Sequence, residues 1–254
     1  LNGTSFVRGA PTGTTDVFTR TSEAPRLVVD NNNVAHVYWY DYAIYNVDGQ
    51  ASRSNTNATI AHRSFNPLAA TWSSKDSAVS SVQGWRGYVT ANSGAITHLA
   101  SAQYNSTLDR TVINYQSSSG GVWSAPTLAV IEDVGLIQKL DMRVDGQGNP
   151  MLLVMTVDSQ VQRYRLFYTA LKNGVWSAPE TVLRDSVLLS PSRLFVDTSN
   201  VPVVLYQSQG NQNVYLTKRL DDGHWASGIV ANSASQFVNS FDAAVDSTQN
   251  KLFM

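Results

Sequence analysis

An all-β architecture made of a repeated unit is predicted by three features of this 254-residue chain. Ser, Thr, Asn, Val and Tyr abound, charged residues make up only 15%, and the glutamates are Glu23, Glu132 and Glu180, so little material exists for exposed helices. A motif of the form apolar-x-Val-Asp, polar turn, apolar run returns along the chain. A second motif occurs as near twins, "GGVWSAPTLAV" (Gly120–Val130) and "NGVWSAPETV" (Asn173–Val182).

Taken in order, the aspartate motif reads "RLVVDNNNVAHVYW" from Arg26, "MRVDGQGNPMLLVM" from Met142, "RLFVDTSNVPVVLY" from Arg193 and "DAAVDSTQNKLFM" from Asp242, with a weaker copy "RGYVTANSGAITHLA" from Arg86. Its anchors Val29, Val89, Val144, Val196 and Val245 stand 49 to 60 residues apart. Alternating apolar residues on both sides of an Asp/Asn/Gly turn predict a β-hairpin in each copy. A third strand follows, as in Tyr164–Leu171 and Asn213–Leu220, then a turn with Trp72, Trp123, Trp176 or Trp225, then a fourth strand. Repeated four-stranded antiparallel units of this length define the blades of a β-propeller.

The predicted blades cover 26–80, 85–131, 138–184, 191–232 and 236–254, the last completed by 1–20. "GAPTGTTDVFTRTSEAPRLVVD" aligns with "SAPETVLRDSVLLSPSRLFVD", Pro11 standing 18 residues before Val29 and Pro179 17 before Val196. This predicts a single domain of five blades, closed by pairing of N- and C-terminal strands, which removes free sheet edges. The alternative is part of a ring of six to eight blades.

A net charge of −1 and a pI near 6.5 argue against nucleic acid or an acidic membrane as partner. Without cysteine there is no disulfide, thiolate nucleophile or thiolate zinc site. The apolar run "MLLVM" (Met151–Met155) is far short of the roughly 20 residues that span a bilayer, so no membrane insertion is expected. "DGQGN" (Asp145–Asn149) lacks the further carboxylates of a calcium loop, and no phosphate-binding or nucleophile-elbow motif occurs, so neither metal nor cofactor is expected. The chain begins at Leu1 without a leader, as a processed or trimmed product would. The expected location is extracellular or at a cell surface, in a bacterium.

Repetition itself assigns roles. Asp30, Asp145, Asp197 and Asp246 are expected to hold backbone N–H groups in their turns. The four tryptophans are expected between neighbouring blades, with each indole N–H satisfied at the surface; repeated sugar-stacking sites are the alternative. Function is expected where the repeat is broken. The clearest break is the strand 2 to 3 connection of the first blade, Tyr40–Asn57, with Tyr40, Asp41, Tyr42, Tyr45, Asp48 and Arg53. Aromatic faces beside fixed hydrogen-bonding groups suit a glycan or another surface ligand. His36 and His98 occupy the same second-strand position in consecutive blades and are candidates for acid–base work, metal ligation or ligand binding, with packing within the blades as the alternative, whereas His62 and His224 share no spacing.

Three functions follow. The first is non-catalytic, lectin-like or adhesive ligand binding. The second is a glycoside hydrolase or polysaccharide lyase using Asp41, Asp48, Glu132, Asp133 or Asp185, hydrolysis requiring two carboxyl groups about 5 Å apart (retaining) or about 6.5 to 9.5 Å apart (inverting). The third is a rigid interaction or assembly module of a larger surface protein.

The Gly-x-Trp turn resembles a degenerate Asp-box (BNR) repeat of sialidase-like propellers, whose pattern is Ser-x-Asp-x-Gly-x-Thr-Trp. Gly121, Gly174 and Gly223 match its glycine, and Trp123, Trp176 and Trp225 its tryptophan, with a spacing one residue shorter. Only "LDDGHW" keeps aspartates, Asp221 and Asp222, near the expected place. The resemblance extends over about four blades and implies a structural turn remote from any catalytic centre. Arg26, Arg86, Arg143 and Arg193 recur at first strands, but the family's arginine triad, Tyr/Glu pair and acid/base have no matching set, so sialidase activity is not expected.

Overall fold

The computed structural model describes residues 7–8, 17–47, 50–79, 88–105, 107–130, 136–158, 163–185, 192–231, 244–246 and 251–253. The first sheet contains β1 (Val7–Arg8), β2 (Val17–Val29), β3 (Ala35–Val47), β4 (Gln50–Asn66), β5 (Thr71–Trp72) and β6 (Asp76–Val79). The second has β7 (Tyr88–Ser93), β8 (Ile96–Asn105), β9 (Arg110–Ser119), β10 (Val122–Trp123) and β11 (Thr127–Val130). The third has β12 (Leu136–Val144), β13 (Pro150–Asp158), β14 (Arg163–Lys172), β15 (Val175–Trp176) and β16 (Glu180–Asp185). The fourth has β17 (Ser192–Val196), β18 (Pro202–Gln207), β19 (Val214–Arg219) and β20 (Trp225–Ala231), and a last hairpin joins β21 (Ala244–Asp246) to β22 (Lys251–Phe253). All pairings within the sheets are antiparallel, β6, β11 and β16 returning to β4, β9 and β14, and the first strands β2, β7, β12 and β17 lie beside one another in that order. This is a β-propeller. Among the described residues, no helix is long and apolar enough to cross a membrane.

The aspartates fix the strand 1 to 2 turns. In each of three blades one carboxylate oxygen accepts backbone N–H groups two and four residues on: Asn32 and Val34 on Asp30, Gln147 and Asn149 on Asp145, Ser199 and Val201 on Asp197. The third residue after each aspartate is left-handed, with φ 58° at Asn33, 87° at Gly148 and 60° at Asn200, a region open to Asn and Gly. The tryptophan motif encodes a different turn. Gly120–Gly121 and Asn173–Gly174 are left-handed pairs closing two-residue hairpins with Ser119 opposite Val122 and Lys172 opposite Val175. The serine after each tryptophan then seals the strand edge: Ser73, Ser124 and Ser177 donate N–H to the carbonyls of Ser64, Ser117 and Ala170, and their hydroxyls accept the N–H of the same residues.

Apolar cores lie between blades. Tyr38, Ile60 and Val79 pack with Tyr88 and Leu99; Val89 and Ile113 with Met142 and Leu152; Leu153 and Leu166 with Leu194 and Val204. Trp123 meets Tyr38 edge-on at 6.2 Å, Trp176 meets Tyr115 at 5.2 Å and Trp225 meets Tyr168 at 5.5 Å, each on the preceding blade. Such pairs add about 0.5–1.5 kcal/mol beyond burial. Trp72 departs from the expected packing, lying over Phe65 and Arg63 of its own blade, 41% exposed. The indole N–H groups of Trp176 and Trp225 are buried without a hydrogen-bond partner rather than satisfied at the surface, because packing on tyrosine draws the rings inward.

Two placements differ from the sequence expectation. The described N-terminal strands join the first sheet instead of β21–β22: Val7 and Arg8 oppose Thr19 and Phe18, and Val17–Arg20 oppose Asn46–Ala43. Val17–Val29 form one strand, and a register shift between Glu23 and Arg26 accommodates Pro25, which has no N–H to give the ladder. Likewise the segment after Tyr40 is not an irregular connection. After a shift between Asp41 and Ala43, β3 and β4 continue as paired strands from Ala43 opposite Ser54 to Val47 opposite Gln50.

Candidate functional site

The first blade carries a row of ionisable side chains that runs across four of its elements. Asp30 sits in the β2–β3 turn, and its second carboxylate oxygen lies 3.4 Å from His36 Nε2 on β3. His36 Nδ1 lies 3.0 Å from His62 Nε2 on β4, and His62 Nδ1 lies 3.0 Å from Asp76 Oδ1 on β6. The cross-strand register places Tyr38 opposite His62, and the two rings stack at 4.6 Å. Asp30, His36 and His62 are largely buried, whereas the Asp76 side chain is 51% exposed.

Burial raises the pKa of Asp30, but hydrogen bonds from Val34, His36 and Asn32 outweigh it and hold the carboxyl below its usual value. Burial lowers the pKa of His62, opposed by Asp76 and reinforced by the charge of His36. Burial pushes the Tyr38 phenol up to about 12, so it stays neutral.

The repeat shows what is special here. His36, His98 and Met151 oppose Ser64, Ser117 and Ala170, the residues that bond the post-tryptophan serine, so they are equivalent. His62, Tyr115 and Tyr168 each stand three residues before the partner of the tryptophan (Phe65, Ser118, Leu171). Opposite them stand Asp76, Thr127 and Glu180. Thus His98 with Tyr115 is the second blade's version of the histidine pair, Nδ1 to phenolic oxygen 2.6 Å. In the third blade Glu180 instead binds Arg219 of the fourth through two bonds of 2.7 and 3.0 Å. Among the described blades, only the first is ionisable at all four positions. Sequence reading missed His62 because the turn before Trp72 is longer: His62 lies ten residues before its tryptophan, Tyr115 and Tyr168 eight before theirs. Counting from the paired strand would have found it.

The remaining candidates scatter. His98 is 4% exposed, its Nε2 has no partner, and burial lowers its pKa to about 4, so it is a neutral core residue. Tyr40 belongs to the core between the first two blades, and buried Asp41 forms an ion pair with Lys75. Tyr42 and Tyr45 fall on the continuation of β3, opposite Thr21 and Phe18 of β2, and Arg53 falls on β4 opposite Ile44. Asp48, Glu132 and Asp133 lie outside the described residues; Asp185 ends β16 opposite Tyr164. Among the described residues, no group of three or more His, Cys, Asp or Glu is arranged to hold a metal ion.

With four-stranded blades, cores between them and adjoining first strands, fold and repeat together define a propeller-class protein. No family model matches the sequence, and no curated protein matches it. Among solved structures, a protein of unknown function from Dyadobacter fermentans aligns over 83% of this chain and 65% of its own, at 9% identity and a TM-score of 0.57. A polysaccharide lyase aligns over 90% of this chain and 53% of its own, at 11% identity and a TM-score of 0.52. An endo-arabinase from Bacteroides thetaiotaomicron aligns over 90% and 86%, at 12% identity and a TM-score of 0.48. The chain thus spans less than two thirds of the length of the first two, and what it shares with them is the fold.

Proposed function

We propose that this chain is an extracellular carbohydrate-binding propeller whose ligand is received by the extended hairpin of the first blade. The observation that carries this reading is the break in the repeat: β3 and β4 run for 13 and 17 residues, against 10 and 10 in β8 and β9 and 9 and 10 in β13 and β14. The excess carries Tyr42, Tyr45 and Arg53, aromatic and hydrogen-bonding groups in the mixture that sugar sites use. The lyase among its structural neighbours supports the substrate class. Kinship with the Asp-box propellers and a place within a larger surface protein belong to the same proposal. A glycan array probed with the wild type and with Tyr42→Ala/Tyr45→Ala tests it. Binding lost in the variant at an unchanged melting temperature is the expected result; an array without a hit refutes it.

The second reading, a carbohydrate-active enzyme, is favoured by the Asp30–His36–His62–Asp76 row, since imidazole oriented by carboxylate is general acid–base equipment. Incubation with neutral and uronic-acid polysaccharides distinguishes its forms. New reducing ends indicate hydrolysis, and reducing ends accompanied by an ultraviolet-absorbing unsaturated sugar indicate elimination. A wild type indistinguishable from His36→Ala on every substrate removes this reading.

A further inference from the structure

Three contacts join Asp30, His36, His62 and Asp76, but two neutral imidazoles bring only two N–H protons and ionised carboxylates bring none. With both rings neutral, one of the three contacts must set acceptor against acceptor. One additional proton satisfies all three. The ring geometry identifies what occupies the middle contact. The imidazoles are nearly coplanar, 14° apart, and their centroids are separated by 5.3 Å while the facing nitrogens are separated by 3.0 Å. The difference amounts to two ring radii, so the nitrogens meet head-on in the ring plane. A zinc ion binds tetrahedrally, so two imidazoles sharing one would point at it at an angle and not at each other head-on. A separation of 3.0 Å is that of an N–H···N hydrogen bond.

We propose that His36 and His62 bind one proton in common, as an imidazolium–imidazole pair bracketed by Asp30 and Asp76, and that this proton is a pH-sensitive clasp joining the β2–β3 turn, β3, β4 and β6. The surroundings favour a single positive charge. Asp30 and Asp76 supply two negative charges from the turn and from β6. Tyr38, stacked on His62, is a neutral phenol. From the second blade, Thr97, Trp123 and Tyr88 approach Tyr38, and all are uncharged. Of the nearby cations, Arg63 donates to the Ser73 carbonyl and lies over Trp72, Lys75 pairs with Asp41, and Arg26 on β2 stands opposite Tyr38. The first proton opposes a second, since two imidazolium charges would face each other across 3.0 Å. Exchange with solvent runs through Asp76, half exposed at the end of the row. Because folding takes up this proton, the clasp stabilises the blade below the ordinary histidine pKa and is released as pH rises through the pair's own midpoint.

The test is a histidine-ring NMR titration of the full chain from mildly acidic to alkaline pH. The expected result is that the two rings respond together, taking up one proton between them with a midpoint above the free-histidine value of about 6.5. Asp76→Asn is expected to lower that midpoint by about one unit, one ionised partner having been removed. Two rings titrating independently, one proton each, overturn the proposal, as does a pair that stays uncharged through neutral pH. Stoichiometric capture of added zinc at neutral pH, moving both ring signals, also overturns it. The wild-type titration decides even where the variant does not fold.

Discussion

A carboxylate that accepts two backbone N–H groups does in this protein what an extra hydrogen-bonded turn would do, and it does so in three copies of one motif, in the first, third and fourth blades. Asp145→Ala removes the acceptor for Gln147 and Asn149, with an expected loss of about 1–2 kcal/mol in urea unfolding. Asp30, Asp145 and Asp197 all have lowered pKa values, burial being outweighed by their hydrogen bonds. Their stabilisation is therefore complete above the unfolded value near 4 and is lost as pH falls through the lower folded values. His98 has a separate window. Its pKa of about 4 in the fold lies below the unfolded value, so stability declines as pH drops from about 6.5 toward 4, by about 3 kcal/mol. In His98→Phe this decline should be much smaller in a pH series of urea midpoints, while the loss due to the aspartates persists. The aspartates were legible in sequence because each turn bonds locally. Packing of His98 within the blades was one reading of the sequence, but its spacing did not record what covers it.

At the scale of the element, the Trp-Ser motif is a strand-end device. Gly174 has φ 77° with open space where a Cβ would stand, so Gly174→Ala is expected to cost about 1–2 kcal/mol through backbone conformation alone. The tryptophans divide by their surroundings. Trp176→Ala is expected to cost about 3–5 kcal/mol, since the ring packs on Tyr115 of the neighbouring blade, and 41% exposed Trp72 should cost much less on the same change. Equal losses in calorimetry would contradict that division. Strand periodicity revealed the four-stranded unit. It could not separate a loop from two continued strands at Ala43–Ser54, since alternation with polar residues on both faces reads as either.

At the scale of the whole molecule, side chains of the third blade's first strand stitch into the backbone of the fourth's. Asp141 on β12 accepts the N–H of Leu194 on β17 at 2.8 Å, and Arg143 donates to the carbonyl of the same leucine at 2.9 Å. Asp141→Ala leaves that N–H unpaired between blades, with an expected loss of about 1–3 kcal/mol in urea unfolding. The paired substitution with Arg143→Ala should be non-additive, because both side chains serve one residue.

By itself the sequence determined the β class, the repeat length, the order of strands within a blade and the roles of the turn aspartates and glycines. All of these rest on bonds between residues a few positions apart. Tertiary structure alone decided that the N-terminal strands extend the first sheet, that Tyr40 and Asp41 are buried, and that His62 meets His36. Those outcomes depend on register across strands and on contact between blades. There a shift of one residue reverses every side chain, and no local spacing records it.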